Sequence, residues 1–185
     1  MKSAKKSIRQ PLLLSLALAT LAFVTLSTPA LAGGKKAVSR PYKAAQTEII
    51  TVDLRPESMA WDDIGFYLPF TTEFFDARAT HLGNYVGTGE GRYYVFLFGG
   101  GGPTVIGKST LVAANGDEVD LEVVIPNYNE GPESGTITIV GGSGRFEQAS
   151  GEFGWDHYEE TEDGDSTPGF LIITRTGWLS GTIEY

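Results

Sequence analysis

Cysteine is absent from the 185-residue chain, and histidine occurs only twice, at His81 and His157. The first absence excludes a disulfide framework, a thiol nucleophile and a thiolate metal site, so stability has to come from burial and backbone pairing. The second leaves too few nitrogen donors for a zinc centre, which needs three or four N, S or O ligands at usable spacing. Basic charge is also scarce. Four of the 14 Lys and Arg residues precede position 33, which leaves ten against 23 Asp and Glu and a net charge of −13 for residues 33–185. A domain this acidic repels phosphate backbones and anionic lipid surfaces, so nucleic acid is not an expected partner. Apolar recurrence at helical spacing is rare beyond residue 32, and all 24 glycines lie in that region, where they break helices repeatedly.

The chain opens with MKSAKKSIRQ, which holds Lys2, Lys5, Lys6 and Arg9 without an acid, and continues into the apolar LLLSLALATLAFVTL. TPALA follows, and its Ala30-Leu31-Ala32 is a small-x-small cleavage signal; together these have the anatomy of a secretory signal peptide. An uncleaved membrane anchor is the alternative, but Pro29 and the small residues at 30 and 32 favour cleavage after Ala32. No Cys follows the apolar run, which excludes lipoprotein anchoring, and no twin-Arg pair precedes it, which favours the general secretory route. The expected organisation is a signal peptide at 1–32, a flexible polar leader at 33–46 (GGKKAVSRPYKAAQ) and a single domain at 47–185, secreted or periplasmic and free of the membrane after cleavage.

Within that domain the period of two dominates. In TLVAANGDEVDLEVVI, Val119, Leu121, Val123 and Ile125 alternate with Asp120, Glu122 and Val124, and Asn115-Gly116 is the preferred pair for a two-residue type I′ hairpin turn. TITIV at 136–140 alternates likewise, FLIITRTGWLSGTIEY reads as one or two strands, and TEIITVDL at 47–54 as another. EFFDARATHLGNYVGTGEGRYYVFLF reads as two strands around the glycines between Gly87 and Gly91. Only WDDIGFYL, 61–68, offers a brief helical possibility. Short strands at near-regular spacing with glycines inside them predict an all-β fold, a small closed antiparallel barrel in preference to a sandwich.

GPTVIGKS, from Gly102 to Ser109, matches the nucleotide-binding pattern G-x-x-x-x-G-K-[ST] through Gly102, Gly107, Lys108 and Ser109. A phosphate cradle of this kind needs a helix immediately after the lysine, because backbone N–H groups and the helix dipole hold the anion. Only five residues, Thr110 to Ala114, separate Ser109 from the Asn115-Gly116 turn, too few for a stable helix. The match is therefore expected to be accidental, a flexible inter-strand loop with a solvated Lys108, and nucleotide is not an expected partner.

Four segments, ATHLGNYVG (79–87), TLVAANGDEVDLEV (110–123), TITIVGGSGRFEQASGEF (136–153) and GWLSGTIEY (177–185), resemble a group of exported bacterial β proteins of unknown function. Their signature runs A-T-H-L-G, A-A-N-G-D, G-G-T-G-R-F-x-G-A-x-G and a terminal S-G-T-I; here Ser143 stands for the Thr and Gln148 for the Gly. The third segment also resembles the V-G-G-T-G-x-F-x-x-A-x-G strand-turn of dirigent proteins and allene oxide cyclases. That resemblance implies an eight-stranded antiparallel barrel, and it transfers no catalytic residue. In GGSGRFEQASGEF the glycines 141, 142 and 144 are expected to supply positive φ, Phe146 to pack inward, and Arg145 to sit at the surface or pair with a carboxylate.

Candidate chemistry is thin. His81 is placed in a strand with Ala77, Ala79, Gly83 and Tyr85 on its side; facing a lumen, it could serve as a general base, or with Tyr85 line a ligand, although a hydrogen-bonded packing role is the simpler reading. The acidic run DHYEETEDGDSTPG offers Asp163 and Asp165 as calcium candidates but lacks a calcium-loop motif, and a solvated loop is preferred. No cofactor is implied. The expectation is an exported, non-catalytic β-barrel that binds a small apolar or phenolic ligand or a surface partner. Alternatives are a barrel-pocket cyclase or isomerase using His81, and a structural envelope protein that self-associates as a homo-oligomer.

Overall fold

The computed structural model describes residues 37–128, 131, 135–162 and 167–185. The signal peptide expected at 1–32 and the calcium candidates Asp163 and Asp165 lie outside the described residues.

Alternation of inward and outward side chains builds nearly everything. The strands are β1 (Ser39–Asp53), β2 (Ala60–Trp61), β3 (Gly65–Ala79), β4 (Gly83–Leu97), β5 (Thr104–Ala113), β6 (Glu118–Ile125), β7 (Thr136–Gly142), β8 (Ser150–Glu162) and β9 (Phe170–Glu184). All pairings are antiparallel, in the order β1-β9-β8-β7-β6-β5-β4-β3-β2. A further pairing of β1 with β3, from Ala44↔Ala79 to Val52↔Phe70, closes eight strands into a ring and excludes the sandwich. Two-residue β2 adds to β3 outside that ring, where Ala60 pairs with Tyr67.

Several local expectations need correction. The leader expected at 33–46 is strand from Ser39 onward: β1 pairs residue by residue with β9, and Tyr42, Ala44 and Gln46 are buried. Its polar and basic residues alternate with these inward ones, which masks the strand. The 61–68 segment is not helical: Trp61 ends β2, residues 62–64 bend, and β3 begins at Gly65. β4 runs unbroken through Gly87, Gly89 and Gly91, and the turn that precedes it lies at residues 80–82. Those glycines face inward beneath neighbouring side chains: a Cβ on Gly91 would fall 2.4 Å from Phe70 Cζ, and one on Gly89 2.3 Å from Ser109 Oγ. They let the wall coil tightly without ending the strand. The 113–117 turn has Gly116 alone at positive φ (+86°), with Gly116 N–H donating to Ala113 O and Ala113 N–H to Asp117 O. It is a three-residue loop with a glycine bulge in place of the two-residue type I′ turn.

One half of the barrel is solid. Tyr42, Leu82, Tyr85, Leu111, Val119, Leu179 and Ile183 fill it. A short 3-10 helix, Gly144–Phe146, plugs that end with Phe146 fully buried against Tyr185. As expected, Gly141, Gly142 and Gly144 take positive φ, and Arg145 pairs with Asp117 at 3.0 Å. Burying a phenylalanine this completely contributes about 1.5–3 kcal/mol.

Candidate functional site

The other half of the lumen is hollow. A cavity of about 400 Å³ lies toward the end where β1 finishes and β9 begins, with Ile50 and Val52 of β1, Phe70 of β3, Tyr93 of β4, Val123 of β6 and Ile173 of β9 in its wall. Each is an inward position of its strand, and the inward glycines Gly89 and Gly91 of β4 and Gly107 of β5 carry no side chain into this space. A volume of this order accommodates one small organic molecule.

Where cavity meets packed core, a polar network crosses the lumen. Arg175 on β9, 4% exposed, donates through Nη1 to Glu48 Oε1 at 2.6 Å and through Nε to Glu160 Oε1 at 2.7 Å. Its Nη2 reaches Glu160 and the Tyr128 hydroxyl. The strand register brings them together: Glu48 pairs with Arg175, and Arg175 with Glu160. The guanidinium also lies 5.5 Å from the Trp155 ring centroid. Burial pushes the Glu48 carboxyl above its ordinary range, opposed by the charge and hydrogen bond of Arg175. Burial likewise raises the Tyr128 hydroxyl, so it is a neutral hydrogen-bonding group at neutral pH. Behind Glu48, Gln46 Nε2 approaches Glu48 Oε2 at 3.5 Å, and Gln46 Oε1 accepts from the Tyr85 hydroxyl at 2.6 Å.

The residues singled out from sequence fall elsewhere. His81 is in the turn between β3 and β4, outside the cavity wall. Its Nε2 lies 2.9 Å from Pro41 O and its Nδ1 3.3 Å from the Tyr185 hydroxyl, a tethering role at the packed end. Tyr85 points inward but belongs to the solid core and reaches the site only through Gln46. The nucleotide-like segment is not a flexible loop throughout: Gly102 lies in the loop, but Thr104 onward is β5. Lys108 sits mid-strand opposite Glu90, with Nζ 3.0 Å from its Oε1, while Ser109 is buried in the lumen wall. Backbone groups of this strand are committed to the β4 and β6 ladders, so they form no anion cradle. Among the described residues, no three His, Asp or Glu side chains group as a metal site. The cluster of Glu48, Arg175, Glu160 and Tyr128 escaped sequence reading because its members are up to 127 positions apart. The available signal was a charged residue in the apolar phase of a strand, as with Arg175 between Ile173 and Gly177.

No protein-family model matches the chain, and no curated protein matches it. Among solved structures, a pterocarpan synthase dirigent protein is similar with a TM-score of 0.44 and 13% identity, over 82% of this chain and 89% of its own. A pyocyanin demethylase is similar with a TM-score of 0.36 and 14% identity, over 76% of this chain and 99% of its own. No residue role transfers from either.

Proposed function

We propose that this barrel is an exported, non-catalytic binding protein that holds one small, mainly apolar molecule in its lumen. One observation carries the reading: the cavity of about 400 Å³ combines an apolar wall with a polar network, anchored by buried Glu48 and Arg175, at its inner end. An apolar wall provides affinity by removing surface from water, and a few placed polar groups orient the guest. Titration with an apolar fluorescent probe should show saturable one-to-one binding. Val123→Trp, which fills the lumen from β6, should abolish it while the thermal transition persists; a variant that binds unchanged would place the probe outside the barrel. The cyclase or isomerase alternative loses its acid–base residue, since His81 stands outside the cavity wall.

A self-associating role has one observation in its favour. Trp61, 61% exposed, stacks on Phe98 at 5.5 Å and lies 5.0 Å from Phe66, and Phe96 and Phe98 are also exposed. A contiguous aromatic surface of this kind suits contact with a second copy of the chain. Sedimentation of the wild type and of Trp61→Ser decides this reading, which fails if both are monomers.

A further inference from the structure

We propose, building on the lumen-binding reading, that the cavity selects uncharged or cationic guests and rejects carboxylates of the same size and shape. The balance of charge around the space carries this. Arg175 is the one cation of the inner network, and it faces two carboxylates, Glu48 and Glu160. Glu162, two residues farther along β8 and exposed, adds a third carboxylate at the solvent side of the lining. The remaining lining charges, Lys108 and Glu90, neutralise each other at 3.0 Å and are 73% and 68% exposed, so they add no net charge to the interior.

Four hydrogen bonds engage the guanidinium, which leaves one of its five N–H groups uncommitted. That N–H can hold an incoming carboxylate by one bond only, and a bidentate pair at Nη1 would have to displace Glu48 from Arg175. Displaced Glu48, whose side chain is 6% exposed, would stay in a poorly solvated wall without its partner, an arrangement that costs more than the new pair returns. A guest ammonium meets the opposite situation. All three contacts to Glu160 use Oε1, and Oε2 has no hydrogen-bond partner among the described residues. For an uncharged polar group the wall offers Thr72, 7% exposed, whose hydroxyl is buried with no hydrogen-bond partner. Ser109 stands across Gly89 from it, the two flanking that glycine in register.

Calorimetric titration of the purified chain with naphthalene-methanol, naphthalene-methylamine and naphthoate tests this with three guests of nearly equal size. The alcohol and the amine should bind at least tenfold more tightly than the carboxylate, and Glu160→Gln should narrow that gap severalfold. Glu162→Gln, farther from Arg175, provides the same reading where Glu160→Gln lowers the melting temperature. Naphthoate binding equal to that of the alcohol overturns the proposal, while leaving the lumen a binding site. An unchanged gap in both variants overturns its assignment to these carboxylates. Saturable heat from none of the three removes the lumen-binding reading itself.

Discussion

Arg175 shows how much of this molecule turns on single inward positions. It is the one guanidinium between Glu48 and Glu160, so removing it leaves two carboxylates facing the lumen without a counter-charge. Arg175→Met should destabilise the fold by about 3–5 kcal/mol in urea unfolding, whereas Glu48→Gln, which leaves the Arg175–Glu160 pair intact, should cost far less. Two glycines should fail for different reasons. At Gly116 a methyl group meets nothing within 4 Å, so the cost of alanine is that of its +86° φ, about 1–2 kcal/mol. At Gly91 the φ is ordinary for strand, but the Cβ would fall 2.5 Å from Ile106 O as well as against Phe70. Alanine there should cost about 1–3 kcal/mol through overpacking, and should also weaken probe binding, which Gly116→Ala should not.

At the scale of elements, the loop leaving β1 is organised by one carboxylate. Asp53 accepts from Arg55 Nε at 2.9 Å, from Arg55 Nη2 at 2.6 Å and from the Ser58 hydroxyl at 2.7 Å. Hydrogen bonds from Arg55, then from Ser58, hold its carboxyl well below the ordinary range. A depressed folded-state pKa favours the ionised form in the native protein. Its contribution is present above the unfolded value, roughly 3.9, and is lost as pH falls through the lower folded value. Asp53→Asn should therefore flatten the acid side of the stability profile below about pH 4, followed by circular dichroism, and leave the neutral region nearly level.

For the whole molecule, the packed half of the barrel depends on the segment read from sequence as a leader, which also supplies Ala44 and Ala45 to the closing β1–β3 pairing. β1 is the strand that pairs with both β9 and β3, and Tyr42 stacks on Phe153 at 4.6 Å inside the solid half. A chain beginning at residue 37 should melt cooperatively. One beginning at residue 47 loses the Ser39–Gln46 pairings with β9 and three buried side chains. Loss of the Tyr42 packing alone costs about 3–5 kcal/mol, which lowers Tm by roughly 6–20 °C at about 2–4 °C per kcal/mol.

The sequence by itself determined the class of fold. Alternation in β6, β7 and β9 is a local property with period two, and with helical spacing absent it pointed to a small closed antiparallel barrel; the number of strands, eight, came from the resemblance of the GGSGRFEQASGEF segment to dirigent proteins. The GGSGRF turn was equally legible, because positive φ is a demand that glycine meets residue by residue. Tertiary structure alone decided where β1 begins, since the inward Tyr42, Ala44 and Gln46 acquire meaning only beside β9. It also decided that Gly87, Gly89 and Gly91 lie within a continuous strand, and that the start of the nucleotide-like pattern is loop and the rest strand. The site was the least legible part. Glu48, Tyr128, Glu160 and Arg175 are distant in sequence; the registers of β1 and β8 with β9 bring the two carboxylates to Arg175, and the chain beyond β6 brings Tyr128 to them.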